Sequence, residues 1–247
     1  MTARSRATTG SRDHRRVFGA GRSVAHAEWT KLRTTPGLIR LLVTAAAVTA
    51  AIGVLAILNS GCPRTDCGVA MAFTGVRAGQ AVVAIAGVLI IGDEYRTGMI
   101  RVTLAATPRR VHVLIGKIVV LAAAVTPAAV AGVTGALLPV HDHPGVLRAA
   151  VGAVLYLVLI ALLSLGVATM LRGPAAAIGT VLGLLYVLPV VAAAMPDERW
   201  ERRLQRISPD AALAVADTGD LARLAVLVWW VTAVLAVAAL LLRRRDA

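Results

Sequence analysis

The sequence predicts an all-α, polytopic membrane protein with six transmembrane helices, and three observations lead to this fold class. The 247 residues are 58% hydrophobic and only 16% charged, with a mean hydropathy of +0.77, which leaves too little polar surface for a soluble domain of this length. Six apolar runs each approach the roughly 20 residues that one helical span requires. The runs are nearly continuous rather than alternating, which argues against a transmembrane barrel.

The six predicted spans account for about half of the chain. In order they are Leu38–Leu58, Met71–Ile91, Ile118–Leu138, Ala149–Leu171, Ala175–Met195 and Leu221–Leu242. An even number of spans places both termini on one side. If that side is the cytoplasm, 18 of the 26 Lys and Arg lie in inner segments or at inner span ends, and the outer segments hold eight acidic residues. Because Lys and Arg near span ends stay on the cytoplasmic side, both termini are predicted to be cytoplasmic.

The N-terminal region divides into a tail and a short helix. Residues 1–22 are rich in Arg, Ser, Thr and Gly without apolar periodicity, which predicts a disordered basic cytoplasmic tail. Residues 23–35 predict an amphipathic interface helix with Ala25, Trp29 and Leu32 on one face. A plain continuation of the first span is the alternative. The positive charge faces an anionic leaflet, so membrane lipids rather than nucleic acid are the predicted partners of this region.

The second span must contain two polar residues. The stretch from Gly79 to Ile91 has only 13 residues, so the span has to include Arg77 and Gln80, which lie one helical turn apart. From the predicted start of the span, Arg77 lies an estimated ~8 Å below the outer end. Snorkelling to the outer surface, or pairing with an outer acid, is one interpretation of this arginine. A place for Arg77 and Gln80 on a substrate path is the other.

Special residues also occur in the later spans and in the outer loops. Pro127 is expected to kink the third span. Gly179 and Gly183 of the fifth span are spaced for close helix approach, either within one subunit or between two. Cys62 and Cys67 share the first outer loop, an oxidising location that allows a disulfide between them.

The longest connection between spans is the final outer loop, residues 196–220. Its first part, residues 197–206, is dense in charge and predicts a short helix on the outer membrane face. The loop is either a lid over the outer end of the bundle or a simple link between two spans.

The sequence contains no recognisable motif for nucleotide hydrolysis. Gly116-Lys117 is followed by Ile118, and Val111 stands where the first glycine of a P-loop would be. Neither a His-Glu-x-x-His zinc motif nor a Gly-x-Ser-x-Gly elbow occurs. The chain is therefore predicted not to be an enzyme and to hold no cofactor of its own.

One compact cluster of metal-capable side chains does occur, at His141-Asp142-His143. It lies in a short outer turn, where solvated polar residues are ordinary, so no metal site is predicted. An intramembrane enzyme using this cluster is the alternative. Asp93 and Glu94 lie at an inner span end, and the spans hold no paired acids, which weakens proton- or sodium-coupled transport.

Residues 92–117 are too polar for a span and too regular for a tail. Met99, Val102 and Ala106 fall at i, i+3 and i+7 and form a short apolar stripe. Charge on its other sides comes from Arg96, Arg101, Arg109 and Arg110. A helix of this kind at the inner membrane surface can pass force from a soluble partner to the spans. A basic connector that anchors two spans to headgroups is the alternative.

Two polar segments of the sequence resemble those of a known family. Glu28-Trp29-Thr30-Lys31-Leu32-Arg33 precedes the first span, and Glu94-Tyr95-Arg96-Thr97-Gly98-Met99-Ile100-Arg101 follows the second. Thr103-Leu104-Ala105-Ala106-Thr107-Pro108-Arg109 and Lys117 continue the pattern. With six spans and a long final outer loop, the chain resembles the permease subunits of type 2 ABC exporters, in their actinobacterial multidrug and antibiotic-resistance branch.

This resemblance implies a function, a location and partners. It implies that residues 23–247 form a permease domain in the bacterial plasma membrane, which exports a hydrophobic or amphipathic compound such as a drug, an antibiotic or a lipid-like molecule. A separate cytoplasmic ATPase subunit would bind ATP and Mg, and a second permease copy, identical or different, would complete a dimer. A membrane scaffold or sensor that docks a cytoplasmic partner without transport is the alternative.

The resemblance also assigns roles to residues. The implied interface-helix residues are Glu28, Trp29, Lys31, Leu32 and Arg33. The implied partner-coupling residues are Glu94, Arg96, Gly98, Arg101, Thr107, Pro108 and Arg109.

Overall fold

The computed structural model describes Thr30 and residues 36–60, 66–99, 110–142, 144–194 and 222–244. These residues are almost entirely helical, and no strand occurs among them. Six helices are long and apolar enough to cross a membrane, which confirms the predicted fold class of a six-span, all-α, membrane-embedded protein.

The helices follow the predicted spans in order. Their bounds are α1 Pro36–Asn59, α2 Asp66–Thr97, α3 Arg110–Leu137, α4 Val146–Leu171, α5 Pro174–Leu182, α6 Leu188–Ala193 and α7 Ala222–Arg244. A 3-10 turn, Leu138–Val140, follows α3, and a π-helical segment, Gly183–Val187, joins α5 to α6. The fifth span is therefore α5, the π-helical segment and α6 together, Pro174–Ala193.

Helices α2 and α3 extend well beyond the apolar runs that predicted them. α2 begins five residues before Met71 and continues six residues past Ile91, and α3 begins at Arg110, eight residues before Ile118. The segment 92–117 thus has helical ends, and the part between the two helices is residues 98–109. A helix satisfies its own backbone hydrogen bonds, so polar residues can continue it past the apolar run.

Several predicted features lie outside the described residues. They are the tail 1–22, the interface helix apart from Thr30, the side chains of Cys62 and Cys67, the outer loop 196–220 and residues 100–109. The implied roles of Arg101, Thr107, Pro108 and Arg109 lie there too.

Helix α4 occupies the middle of the bundle, where it packs against α2, α3, α5 and α7. Its sequence is apolar on all sides, as expected of a helix surrounded by others, and half of its residues are buried. Helix α1 packs mainly on α2 and α3. Helices α2 and α3 contact each other less extensively than each contacts α1 or α4.

Small residues allow α1, α2 and α3 to approach closely around Thr49. A Cβ atom added to Gly75 would lie 2.1 Å from the Thr49 carbonyl oxygen, and one added to Gly79 would lie 1.9 Å from Thr49 Oγ1. On α3, a Cβ atom at Gly132 would lie 3.0 Å from Thr49 Cβ. Glycine is thus required where two backbones meet, as is common in membrane bundles.

The predicted glycine pair of the fifth span behaves differently. Nothing among the described residues lies within 4 Å of a Cβ atom built on Gly179 or Gly183. The close helix approach that this pair allows is therefore not made within the described part of the chain. Its use in dimerisation stays a prediction.

The π-helical segment ends at Val187, two residues before Pro189, the second residue of α6. A proline has no backbone N–H, and its ring clashes with the carbonyl four residues earlier, here that of Leu185. Widening the helix by one residue before the proline relieves this clash, and such π-helical turns are frequent at functional sites. The fifth span therefore changes from α-helical to π-helical geometry at its middle and returns to α-helical geometry at Leu188.

Candidate functional site

Buried polar side chains in a membrane-embedded bundle must find partners, and the partner shows whether a side chain links two helices. Among the described residues, the buried polar ones are Thr49, Gln80, Glu94, Lys117, Ser164 and Thr169. The three hydroxyls donate to the carbonyl four residues earlier in their own helix. The other three bond to a different helix, and together with Arg77 they make up the candidate site.

Glu94 of α2 and Lys117 of α3 form a buried ion pair, which we name the loop-base ion pair. Lys117 Nζ lies 2.9 Å from Glu94 Oε1, and the side chains are 1% and 6% exposed. Lys117 Nζ also donates to the carbonyl oxygen of Ile90, at 3.4 Å. Both acceptors belong to one turn of α2, so a single lysine holds that turn at two points.

Helix α2 ends at Thr97, three residues after Glu94. Gly98 has φ +71°, a left-handed conformation that glycine adopts without strain and that commonly ends a helix. The Gly98 N–H donates to the Tyr95 carbonyl at 3.4 Å, and Thr97 Oγ1 donates to the Asp93 carbonyl at 2.8 Å. On the exposed side, Arg96 Nε lies 3.5 Å from Asp93 Oδ1. Arg96 and Gly98 therefore lie at the surface, whereas Glu94 points into the bundle.

Helix α5 also begins at this end of the bundle. Arg172 and Gly173 make a two-residue turn after α4, and Pro174 opens α5, a position that suits proline. A Cβ atom added to Gly92 of α2 would lie 2.9 Å from Pro174 Cβ. The start of α5 thus packs directly against α2, two residues before Glu94. We call this end of the bundle, where α2 ends and α3 and α5 begin, the loop end.

Gln80 lies inside the bundle and bonds to the central helix. Its Oε1 accepts a short hydrogen bond from Tyr156 Oη on α4, and both residues are only 1% exposed. One of the two interpretations drawn from the sequence places Gln80 on a substrate path. In this conformation the side chain is enclosed between α2 and α4, so the path would have to open before a substrate reaches it.

Arg77 is exposed and lies beside the π-helical segment. Its carbonyl oxygen accepts a hydrogen bond from Tyr186 Oη, and Tyr186 is part of that segment. Arg77 is 11 residues from Asp66, the first residue of α2, which places it about 16 Å along the helix at 1.5 Å per residue. The distance predicted from the sequence is about half of this, because it is counted from Met71, where the apolar run begins, and α2 begins five residues earlier.

Helix α2 carries all three of these contacts. Gln80 and Glu94 are 14 residues apart on α2, or about 21 Å along its axis. The described residues contain no group of three or more His, Cys, Asp and Glu placed to hold a metal ion. The ion pair at the loop end and the Gln80–Tyr156 hydrogen bond farther along α2 thus tie this one helix to both α3 and α4.

Three of these residues are not singled out by the sequence as site residues: Lys117, Tyr156 and Tyr186. The sequence does contain a feature that indicates Lys117: it is an ionisable residue bordered by apolar residues such as Leu114, Ile115 and Ile118. Within a membrane span such a residue marks a functional site by default. For Tyr156 the signal is only that a buried tyrosine hydroxyl needs a partner.

Comparison of the chain with models of known protein families gave no match, and comparison with curated proteins also gave no match. The basis for a function is therefore the site itself together with the resemblance in its polar segments.

Proposed function

We propose that this chain is the membrane-spanning permease subunit of an ATP-driven ABC exporter. It moves a hydrophobic or amphipathic compound, such as a drug, an antibiotic or a lipid-like molecule, out of the cell across the plasma membrane. A separate cytoplasmic ATPase subunit binds and hydrolyses ATP with Mg. A second permease copy completes the transport unit, and the chain itself performs no hydrolysis.

The observation that carries the proposal is the firm attachment of the α2–α3 segment. Residues 98–109 connect α2 to α3 in the sequence, and the loop-base ion pair joins these two helices close to that connection. A segment that receives force from a soluble partner needs such an attachment, because a loosely tethered loop would absorb the movement itself. The basic residues of this segment would form the docking face, and the resemblance of the segment to a coupling helix supports this role.

The surface beside α2 supports a path for an apolar compound. Val187, Val190 and Val191 of the fifth span are exposed near Tyr186, and Arg77 lies on the adjacent face of α2. Binding surfaces for small molecules are mostly apolar, with few polar groups that fix orientation. This surface has that composition, and a second copy of the chain could enclose it.

The proposal is tested with the complete complex. The chain is purified from its native membrane with the ATPase that accompanies it, and both are reconstituted in proteoliposomes with a rhodamine dye. We expect dye movement with ATP and none with ADP. A complex whose ATPase lacks its P-loop lysine is the matched control, because it should assemble without hydrolysing ATP.

Deleting the ATPase gene should abolish dye efflux from intact cells. Unchanged efflux would contradict the proposal. A chain that binds the ATPase but moves no dye in either assay would instead favour the membrane scaffold or sensor.

A further inference from the structure

Glu94 and Lys117 are the only buried charged residues in the part of the chain that the structure describes. Lys117 lies seven residues inside α3 from Arg110, or about 10 Å from the start of the helix. It therefore reaches α2 from well within the bundle. An apolar pair of similar volume would fill the same space without removing two charges from water.

A stability argument alone does not explain the pair. Replacing a buried ion pair by well-packed apolar residues is often neutral or stabilising, whereas removal of one partner is strongly destabilising. A buried pair can instead specify one arrangement of the elements that it joins. Here these elements are the ends of α2 and α3, which pack more on α1 and α4 than on each other.

We infer that Lys117 is a positioning residue that, through Glu94, makes the loop ends of α2 and α3 move as one body. A displacement of residues 98–109 then passes into both helices rather than into one. It travels along α2 to the Gln80–Tyr156 bond and to Arg77. This inference rests on the proposed function and adds to it the residue that joins the docking segment to the bundle.

The geometry supports this role over that of a surface anchor. Lys117 Nζ contacts both the Glu94 carboxylate and the Ile90 carbonyl, so it fixes the rotation of the last turns of α2 as well as their distance from α3. The Asp93–Arg96 pair on the same turn is 3.5 Å long, with side chains 50% and 70% exposed, and it lies within α2 alone. Exposed pairs of this kind contribute little.

The experiment compares three variants of the full complex in proteoliposomes. They are Lys117→Met, the apolar double variant Glu94→Leu/Lys117→Met, and the charge swap Glu94→Lys/Lys117→Glu. Arg148→Met is the matched control, because it also removes one basic residue but at an exposed position at the other end of α4. The measured quantities are the thermal unfolding midpoint and the number of rhodamine molecules moved per ATP hydrolysed.

The apolar double variant should unfold at the wild-type temperature but move about tenfold fewer molecules per ATP, a size typical of residues that couple distant sites. The charge swap should recover most of the loss, and Arg148→Met should match wild type. A wild-type ratio in the apolar double variant would overturn the inference. So would a charge swap that folds without recovering transport. If Lys117→Met does not fold, the apolar double variant and the charge swap still test the inference.

Hydrogen exchange separates this inference from the proposed function. At equal thermal stability, amides of residues 94–97 and 110–116 should exchange about tenfold faster in the apolar double variant than in wild type. Unchanged exchange would show that the pair does not join the helix ends. If the wild-type complex moves no dye, the proposed function fails, and the exchange result alone decides the role of the pair.

Discussion

Arg77 is the residue most directly open to a test of substrate choice. Arg77 is an exposed residue of α2, and its backbone carbonyl accepts a hydrogen bond from Tyr186 of the fifth span, which also exposes Val187 and Val190. We predict that Arg77→Leu preserves assembly and changes the substrate range. Hydrogen bonds to charged groups contribute about 1.5–3 kcal/mol, so the export of an anionic fluorescein relative to a cationic rhodamine should fall about tenfold.

The matched control for this prediction is Arg77→Lys, which keeps the charge and should keep most of the preference. Dye export from cells and copurification of the ATPase are measured for both variants. An unaltered range in Arg77→Leu would assign the arginine to snorkelling instead.

The sequence indicates several polar residues of the site but not the residues with which they pair. Glu94 has an implied partner-coupling role, yet it points inward to Lys117, 23 residues later. Helical periodicity indicates which residues share a face but not which face of another helix it meets. For the same reason the sequence identifies Gln80 but not Tyr156, 76 residues later.

Among whole elements, the helices around Thr49 are the most closely packed. We predict that Gly75→Ala destabilises the protein by about 1–3 kcal/mol, because the added methyl would meet backbone rather than a movable side chain. Thermal unfolding in detergent gives the measurement. Gly179→Ala is the matched control, since its Cβ meets nothing within 4 Å among the described residues and alanine favours a helix.

Equal unfolding temperatures for Gly75→Ala and Gly179→Ala would mean that α1 and α2 are farther apart than the structure has them. A loss for Gly179→Ala alone would point to close packing of the fifth span against something outside the described residues.

The existence of each helical span was predictable, but its ends were less so. An apolar run of about 20 residues has few structures available to it in lipid, so all six spans were found. The ends of α2 and α3 lie in polar sequence, where lipid no longer imposes a helix. Local residues such as Gly98 determine where the helix ends there. The π-helical segment was not predicted either. A proline inside a helix disturbs it, but the presence of Pro189 does not by itself indicate which geometry the helix adopts.

For the whole molecule, the orientation in the membrane follows from charge. We predict that both termini and residues 98–109 are cytoplasmic. A green fluorescent protein fused to the C-terminus should fluoresce, and alkaline phosphatase fused after Asp142, in the turn between α3 and α4, should be active. These results are expected because basic residues near the span ends stay inside.

Alkaline phosphatase fused after Arg172 is the matched control and should be inactive, since this residue ends α4 at the loop end. An active enzyme there, with a dark C-terminal fusion, would invert the topology and exclude docking of a cytoplasmic ATPase on residues 98–109.

The surroundings of Thr49 also have a consequence for how the protein is made. Its neighbours Gly75, Gly79 and Gly132 come from two helices that are synthesised after α1. Gly132 lies 83 residues after Thr49, so the growing chain cannot complete this contact until at least that many further residues have been made. The first helix therefore meets α2 before α3 is made, and a chain cut short before Gly132 would leave the third side of this contact open to lipid.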